Sequence, residues 1–227
     1  MNILYEDNHL IVVIKPQNVP SQEDITEDES MLTKVKKYIK ETYNKPGNVY
    51  VGLVHRLDRP TGGVMVFAKT SKCANRLSEQ IKEGKMHKKY LTVVEKTPRE
   101  KFAQLTHFLK KNAEQNIVRV VPQYEEGAKK AVLNYTIVED VDKKLSLIDV
   151  DLITGRSHQI RVQMSTIGNP VFADKKYGSK YNGNLALWAY KLTFEHPITN
   201  KPMTFIAYPP SDEMPWKYFN INKFISK

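Results

Sequence analysis

The sequence predicts an α+β fold built around a mostly antiparallel sheet. Runs rich in β-branched and aromatic residues follow one another through much of the chain, and three shorter stretches carry apolar residues at helical spacing. No fixed-period repeat, low-complexity tract or Gly/Ser linker divides the 227 residues. Because consecutive strands joined by short polar turns pair antiparallel, we expect one domain over residues 1–227.

The first part of the chain is predicted to combine strands with two amphipathic helices. The apolar runs predicted as strands are residues 3–5, 10–14 and 64–69. Between Met31 and Tyr43, apolar residues recur every three or four positions, which is typical of a helix packed on one face. A second helix is predicted to begin with Ser71 as its N-terminal cap and to end at Gly84.

The remaining chain is predicted to be richer in strands. These strands cover residues 90–94, 117–121, 132–138, 145–152, 185–194 and 203–208. One short helix interrupts them, with Ser157 as its cap, Ile160 and Met164 on one face, and Gly168 at its end.

The composition favours a nucleic-acid partner. The sequence has 35 Lys and Arg against 25 Asp and Glu, a formal charge of +10. Such a surplus concentrates polyanions around a protein, although many basic proteins bind no nucleic acid. Motifs must therefore decide between these two readings.

We expect the chain to carry no signal for export or for membrane insertion. Residues 6–9, EDNH, interrupt the apolar core that a signal peptide needs, and no stretch reaches the roughly 18 apolar residues of a membrane span. Cys73 is the only cysteine, which excludes an intramolecular disulfide and a cysteine zinc cluster. We expect a cytoplasmic protein without a membrane partner.

The segment VHRLDRPTGG, residues 54–63, places Asp58 between two arginines on a Pro/Gly-rich loop. Gly62 and Gly63 permit close backbone approaches, so the loop can fix a carboxylate at the edge of a cleft. The neighbouring positive charge favours the ionised form that a nucleophile or a base needs. The alternative is an aspartate that makes only a turn and a surface ion pair.

A second cluster, GRSHQIR, offers Arg156, His158 and Arg161 at the start of the short predicted helix. A helix N-terminus attracts anions, and Arg161 could hold a carboxylate with two parallel hydrogen bonds. The alternative is a basic helix face exposed to water. His158 could act as an acid or base, but His55 and His158 lack a third ligand, so we expect no metal site.

Tyr90, in KKYLTVV, begins a predicted strand after a run of lysines. An aromatic ring at this place could stack on a base, as in many RNA-binding proteins. An aromatic residue at the head of a strand also commonly belongs to the core. The pattern alone does not separate these two roles.

Five segments, in order, resemble the pseudouridine synthases of the large-ribosomal-subunit and tRNA type, the RluA family. They are ILYEDNHLIVVIKPQNVPSQ, HRLDRPTGGVMVFAKT, KKYLTVV, GRSHQIRVQMSTIGNPVFADKKYG and LALWAYKLTFEHPITNKPMTFIAYPP. The resemblance runs almost from end to end, and it implies an α+β catalytic domain whose extended mixed sheet is flanked by helices and loops. Because only two residues precede Ile3, we expect no separate S4-like N-terminal RNA-binding domain.

The resemblance also implies roles for individual residues. Asp58 corresponds to the essential aspartate, Tyr90 to the tyrosine that contacts the target base, and Arg161 to the arginine paired with that aspartate. Arg56 corresponds to the side chain that fills the gap left by a flipped nucleotide. The other basic residues of the two motifs are expected to contact RNA; they are His55, Arg59, Arg156 and His158.

Some positions depart from the pattern of the family. Residues 60–63 read PTGG where relatives often have Asp-Thr-Ser-Gly, and Trp188 and Gln163 stand where histidines are frequent. These positions lie outside the three catalytic ones. We therefore expect the chemistry to be retained, whereas substrate choice is affected.

The implied reaction isomerises uridine in rRNA or tRNA to pseudouridine, with no metal, redox or nucleotide cofactor and with a monomeric enzyme. Asp58 acts either as a nucleophile at ribose C1′ or as a base at C2′. An alternative of another class is an inert RNA-binding assembly factor on the same fold, which would be expected to have lost Asp58. Hydrolysis is disfavoured because no nucleophile triad or second motif carboxylate is present.

Overall fold

The computed structural model describes residues 1–24, 26–221 and 224. Its strands and α-helices are, in chain order, β1 (Asn2–Glu6), β2 (Leu10–Lys15), α1 (Met31–Thr42), β3 (Gly52–Leu53), β4 (Gly62–Ala68), α2 (Ser71–Lys82), β5 (His87–Glu95), β6 (Phe102–Asn112), β7 (Ile117–Val121), β8 (Lys129–Val141), β9 (Leu145–Leu152), α3 (Gln159–Thr166), β10 (Leu187–Glu195) and β11 (Pro202–Ile206). These described elements confirm the α+β class. None of the described helices is both long enough and apolar enough to cross a bilayer.

The chain divides into two compact units. The first unit comprises residues 1–87 and 189–207, and the second comprises residues 88–188 and 208–227, apart from the undescribed positions near the C-terminus. The assignment of residues 1–227 to one catalytic domain remains a prediction.

The first unit packs two helices against antiparallel strands. Strand β2 pairs with β1 and β4, β3 pairs with β4, and β11 pairs with β10. Helix α1 buries residues at the predicted helical spacing, and so does α2. A core cluster of this unit draws on β2, β4, α2 and β10; its members include Leu10, Val12, Val66, Leu77, Leu192 and Phe194.

The second unit is built on antiparallel strands in the spatial order β5, β9, β8, β6, β7. Strand β6 was not predicted from the sequence, because its inner residues are mostly only half-buried and the apolar Phe102 lies on its exposed side. A small apolar cluster links α3 to β6, β7 and β8; it contains Leu109, Val118, Ala131, Val162 and Tyr177.

Two predicted helix caps are wrong. Helix α2 is capped by Thr70, whose hydroxyl accepts a hydrogen bond from the backbone N–H of Cys73 at 3.2 Å, rather than by Ser71. Helix α3 begins after His158, which has a left-handed backbone with φ of 51° and makes no side-chain cap, so Ser157 is not the cap. The predicted ends are confirmed, since Gly84 and Gly168 follow the helices with positive φ.

Candidate active site

Asp58 lies in the first unit, in the loop that joins β3 to β4. Its side chain is half-buried, and its backbone carbonyl accepts a hydrogen bond from Thr61 N–H at 2.9 Å, which closes a turn. Upstream, His55 Nε2 accepts a hydrogen bond from Val66 N–H at 3.1 Å, so this nitrogen is unprotonated and ties the loop to β4. The loop is therefore attached to the sheet on both sides of the carboxylate.

A second segment, Lys15–Ser21, holds the same loop through its backbone. The Ser21 hydroxyl donates to Leu57 O at 2.8 Å and accepts from Leu57 N at 3.2 Å. The two other contacts are Lys15 Nζ to Arg59 O at 2.9 Å and Gln17 Nε2 to Pro60 O at 3.0 Å. These bonds fix the backbone on either side of Asp58, a preorganisation that a catalytic carboxylate needs.

Lys15 is a functional candidate that the sequence did not reveal. A lysine at the end of an apolar strand is usually exposed to solvent, so its position gave no reason to expect a buried side chain. Its side chain is fully buried, and Nζ donates to three backbone carbonyls, of Pro16 at 2.9 Å, Val19 at 2.6 Å and Arg59 at 2.9 Å. Burial lowers the pKa of Lys15 to about 7, and the negative charge of Asp58 opposes this shift. Lys15 is thus a buried cation whose charge interacts with the Asp58 carboxylate.

Gly63, in the catalytic motif, meets a steric requirement. Its φ is 126°, and a Cβ at this position would lie 2.2 Å from the carbonyl oxygen of Ala189. No other residue fits there without displacing backbone. The close approach expected of the PTGG segment is therefore present at Gly63.

The two arginines that flank Asp58 face different surroundings. Arg59 binds the acidic 24–28 segment, with Nη1 3.3 Å from Asp24 Oδ2 and Nη2 against Asp28. Arg56 is exposed and makes no hydrogen bond or ion pair with any residue of the described ranges. Arg59 is therefore partly neutralised, whereas Arg56 presents its charge to solvent.

Tyr90 belongs to the second unit, near the start of β5. Its side chain is 6% exposed, and it pairs across the sheet with Val150 of β9. This burial agrees with a core position. A contact of Tyr90 with a base stays a prediction.

Arg161 also lies in the second unit, on the buried side of α3. Its Nε and Nη2 donate to Asp174 Oδ2 at 2.7 Å and to Asp174 Oδ1 at 2.8 Å, and Cζ lies 5.1 Å from the centre of the Tyr177 ring. Arg161 is 6% exposed, so the alternative of a solvated basic face is wrong for this residue. The bidentate geometry expected of Arg161 is present, with Asp174 as a partner that the sequence did not predict.

Pairing of Arg161 with Asp58 stays a prediction. Asp174 takes two of the five N–H groups of the guanidinium.

The remaining residues of the second motif are spread over different environments. His158 Nδ1 lies 2.7 Å from Tyr177 Oη, whereas Arg156 is exposed and donates through Nε to Lys130 O at 3.0 Å. Gln163 is fully buried, and its Nε2 contacts His107 Nδ1 at 3.0 Å. Because Gln163 is buried, an influence of this residue on substrate choice would act through packing. Trp188 is 8% exposed.

Within the described ranges, no three His, Cys, Asp or Glu residues are arranged to hold a metal ion. The predicted independence from metals and cofactors remains an expectation.

Comparisons with known proteins agree on one family. The family model described as RNA pseudouridylate synthase matches residues 9–166, a range that contains Asp58, Tyr90 and Arg161. The chain is 32% identical over 218 residues to the ribosomal large subunit pseudouridine synthase C of Buchnera aphidicola, covering 90% of this chain and 66% of that protein. It is 33% identical over 215 residues to an uncharacterised RNA pseudouridine synthase of Bacillus subtilis, covering 93% and 74%.

The fold has solved counterparts. The human RNA pseudouridylate synthase domain containing 4 superposes with a TM-score of 0.77 at 21% identity, over 92% of this chain and 88% of that one. At this identity the likeness concerns the fold. The chain spans about two thirds of the length of the curated relative from Buchnera.

Proposed function

The chain belongs to the RNA pseudouridylate synthase family, and we propose that it is an isomerase that converts specific uridines of structured RNA to pseudouridine. The observation that carries this proposal is the Asp58 loop, whose backbone is held on both sides of the carboxylate by the Lys15–Ser21 segment. Such a loop presents one carboxylate in a fixed direction, which is what a single-residue nucleophile or base requires.

The reaction conserves all atoms of the uridine except for one exchanged proton. The bond between uracil N1 and ribose C1′ breaks, the base turns in the pocket, and C5 forms a new bond to C1′. The proton on C5 then leaves, and N1 takes up a proton. Asp58 either attacks C1′ directly or removes the C2′ proton to give a glycal, and both routes need an ionised carboxylate.

Access to the base requires that the nucleotide leaves its helix. Extrusion costs a few kcal/mol of stacking and pairing, which contacts in the pocket and in the vacated gap must offset. The side chain of Arg56 suits the second role, because it is exposed and bears a charge without a protein partner in the described part of the chain. We propose that Arg56 fills the gap, while His55, Arg59, Arg156 and His158 assist RNA binding.

Tyr90 and Arg161 complete the proposed site by family resemblance. Tyr90 contacts the uracil, and its hydroxyl either serves only the contact or also relays the C5 proton. Arg161 pairs with the Asp58 carboxylate, for which its buried bidentate bond to Asp174 would hold the guanidinium in a fixed orientation.

We propose ribosomal RNA as the first substrate to test, because the Buchnera relative is named for the large ribosomal subunit. Transfer RNA is the second. A cytoplasmic location and a monomeric state complete this proposal.

Pseudouridine should be mapped across total RNA from cells with and without the gene. Sites that disappear with the gene identify the substrate, whereas an unchanged map supports the inert assembly factor and contradicts the isomerase.

The Asp58→Asn variant tests the assignment of the carboxylate. It keeps the shape of the side chain but removes its charge, so we expect pseudouridine formation to fall by about 10⁴-fold or more with RNA binding little changed. Product formation on the RNA identified by the map measures this loss. Glu41→Gln, which neutralises an exposed carboxylate of α1 in the same unit, is the matched control. Substantial turnover by Asp58→Asn would exclude this aspartate as nucleophile or base.

A further inference from the structure

The ammonium group of Lys88, in the second unit, has no partner among the described residues. The residue is half-buried, and its side chain makes no hydrogen bond, ion pair or ring contact with any described residue. Burial lowers its pKa, and no neighbouring charge counteracts this shift. Because lysines are rarely buried without a partner, such a side chain is suited to an anion that arrives from outside.

The next residue, Lys89, provides the contrast. Its Nζ lies 2.9 Å from Asp149 Oδ2, and the two form an ion pair across the strands β5 and β9. Neighbouring side chains of a strand point to opposite faces, so Lys88 and Lys89 serve different faces of β5. Between the described strands β5 and β9, the carboxylates of Asp149 and Asp151 lie on the face of Lys89.

The head group of Lys88 lies beside the second motif. A Cβ added to Gly155 would be 3.5 Å from Lys88 Nζ, which places the ammonium against the exposed turn that precedes α3. The guanidinium of Arg156 is exposed on the same turn. A ligand can therefore reach Lys88 from the side on which Gly155 and Arg156 are exposed.

Lys88 also shares the face of β5 that bears Tyr90, since the two are separated by one residue. Their Cα atoms are roughly 7 Å apart along the strand. This distance is comparable with that between a nucleobase and the phosphates of its own backbone. A base at Tyr90 would thus have a backbone phosphate within reach of Lys88.

From this geometry we infer that Lys88 binds a backbone phosphate of the RNA strand next to the uridine held at Tyr90. The inference rests on the proposed function and adds to it a residue that positions the substrate. A lysine ammonium is a compact point charge that suits a phosphate, and Gly155 leaves the phosphate room to approach. The uncompensated burial of Lys88 is then a cost to the fold that RNA binding offsets.

The test compares Lys88→Met with the matched control Lys144→Met. Lys144 is exposed in the turn before β9, roughly 24 Å along that strand from the end near Lys88. Total RNA from cells that lack the gene, tritiated at uridine C5, serves as the probe, because the reaction releases tritium from C5. The apparent KM and kcat are measured from 50 to 300 mM salt, together with the Tm of each protein.

We expect Lys88→Met to raise the apparent KM by about tenfold, with a smaller change in kcat. Loss of one phosphate contact should also reduce the slope of log KM against log salt by about 0.7–1. Lys144→Met should leave both quantities near those of the parent protein, and Lys88→Arg should restore most of the affinity. The Tm of Lys88→Met should equal or exceed that of the parent, since an unpaired buried charge has been removed.

Three results would overturn the inference. A parent-like KM and salt slope for Lys88→Met, with an active parent protein, would exclude the phosphate contact and leave the proposed function intact. A lowered Tm that accompanies the loss of affinity would assign Lys88 a structural role. Absence of tritium release by the parent protein would instead overturn the proposed function itself, and the inference with it.

Discussion

Each unit contains a buried cation, and the two are compensated by different chemistry. Lys15 of the first unit is fully buried and donates to three backbone carbonyls, with no carboxylate in direct contact among the described residues. Arg161 of the second unit is 6% exposed and shares two hydrogen bonds with Asp174, whose side chain is 1% exposed. One cation is thus surrounded by dipoles and the other by an opposite charge.

This difference in compensation determines how each buried cation responds to a change of pH or to a substitution. Carbonyl dipoles stabilise an ammonium less than a carboxylate does, so Lys15 can lose its proton near neutral pH, as its pKa of about 7 indicates. A guanidinium does not deprotonate in proteins, and the Arg161–Asp174 pair fails only when one partner is removed. We therefore expect the first unit to be sensitive to pH and the second to be sensitive to single substitutions.

The largest effect on stability is expected for Arg161→Met, because it leaves the Asp174 carboxylate buried without its partner. Breaking a buried pair in this way costs about 3–5 kcal/mol in the free energy of unfolding, which urea titration measures. The double variant Arg161→Met/Asp174→Leu should recover most of this loss, while activity stays low if Arg161 also serves the proposed catalysis.

Arg156→Met is the control for the Arg161 experiment, because it removes an exposed arginine from the same motif. Its stability should change by less than about 0.5 kcal/mol. An equally small change in Arg161→Met would show that the buried pair contributes little, and the contrast between the two units would disappear.

A smaller loss is expected for Lys15→Met. The substitution leaves three carbonyl oxygens without their donor, but it replaces a desolvated amine by an apolar group, so we expect a net destabilisation of about 2–3 kcal/mol. Turnover should fall as well, since the contact with Arg59 O that holds the Asp58 loop is lost. Lys34→Met is the matched control, because Lys34 forms a partly exposed ion pair with Glu29. An unchanged kcat would show that the loop keeps its position without Lys15.

The smallest effect, taken per unit of pH, is the pH dependence of the Lys15 contribution. Its pKa falls from 10.5 to about 7 on folding. Between these values the unfolded chain binds more protons at Lys15 than the folded chain, so stability rises with pH, by at most about 1.4 kcal/mol per unit. The difference in unfolding free energy between the parent protein and Lys15→Met should therefore increase from pH 7 to pH 9. A difference that is constant over this range would mean that Lys15 keeps its proton in the fold.

The sequence determined the type of most elements, because their signals are local. Apolar residues at helical spacing predicted α1 and α2, and compact apolar runs predicted β2 and β4, all of which the structure contains. The glycines that end α2 and α3, Gly84 and Gly168, could also be predicted. A positive φ is required at the end of such a helix, whichever part of the protein the helix packs against. Strand β6 was not predicted because its exposed positions alternate with residues that are only half-buried, and the apolar Phe102 lies on the exposed side, so the sequence shows no hydrophobic alternation.

The tertiary structure alone decided which partner each buried polar or charged group has. Lys15 reaches a carbonyl 44 residues away, and Gln163 reaches another 58 residues away. Such contacts arise when distant segments are packed together, so no local pattern encodes them. The sequence therefore predicted Asp58, Tyr90 and Arg161 by their motifs, whereas Lys15 and Asp174 appeared only in the fold, because the partner of a buried charge depends on what desolvates it.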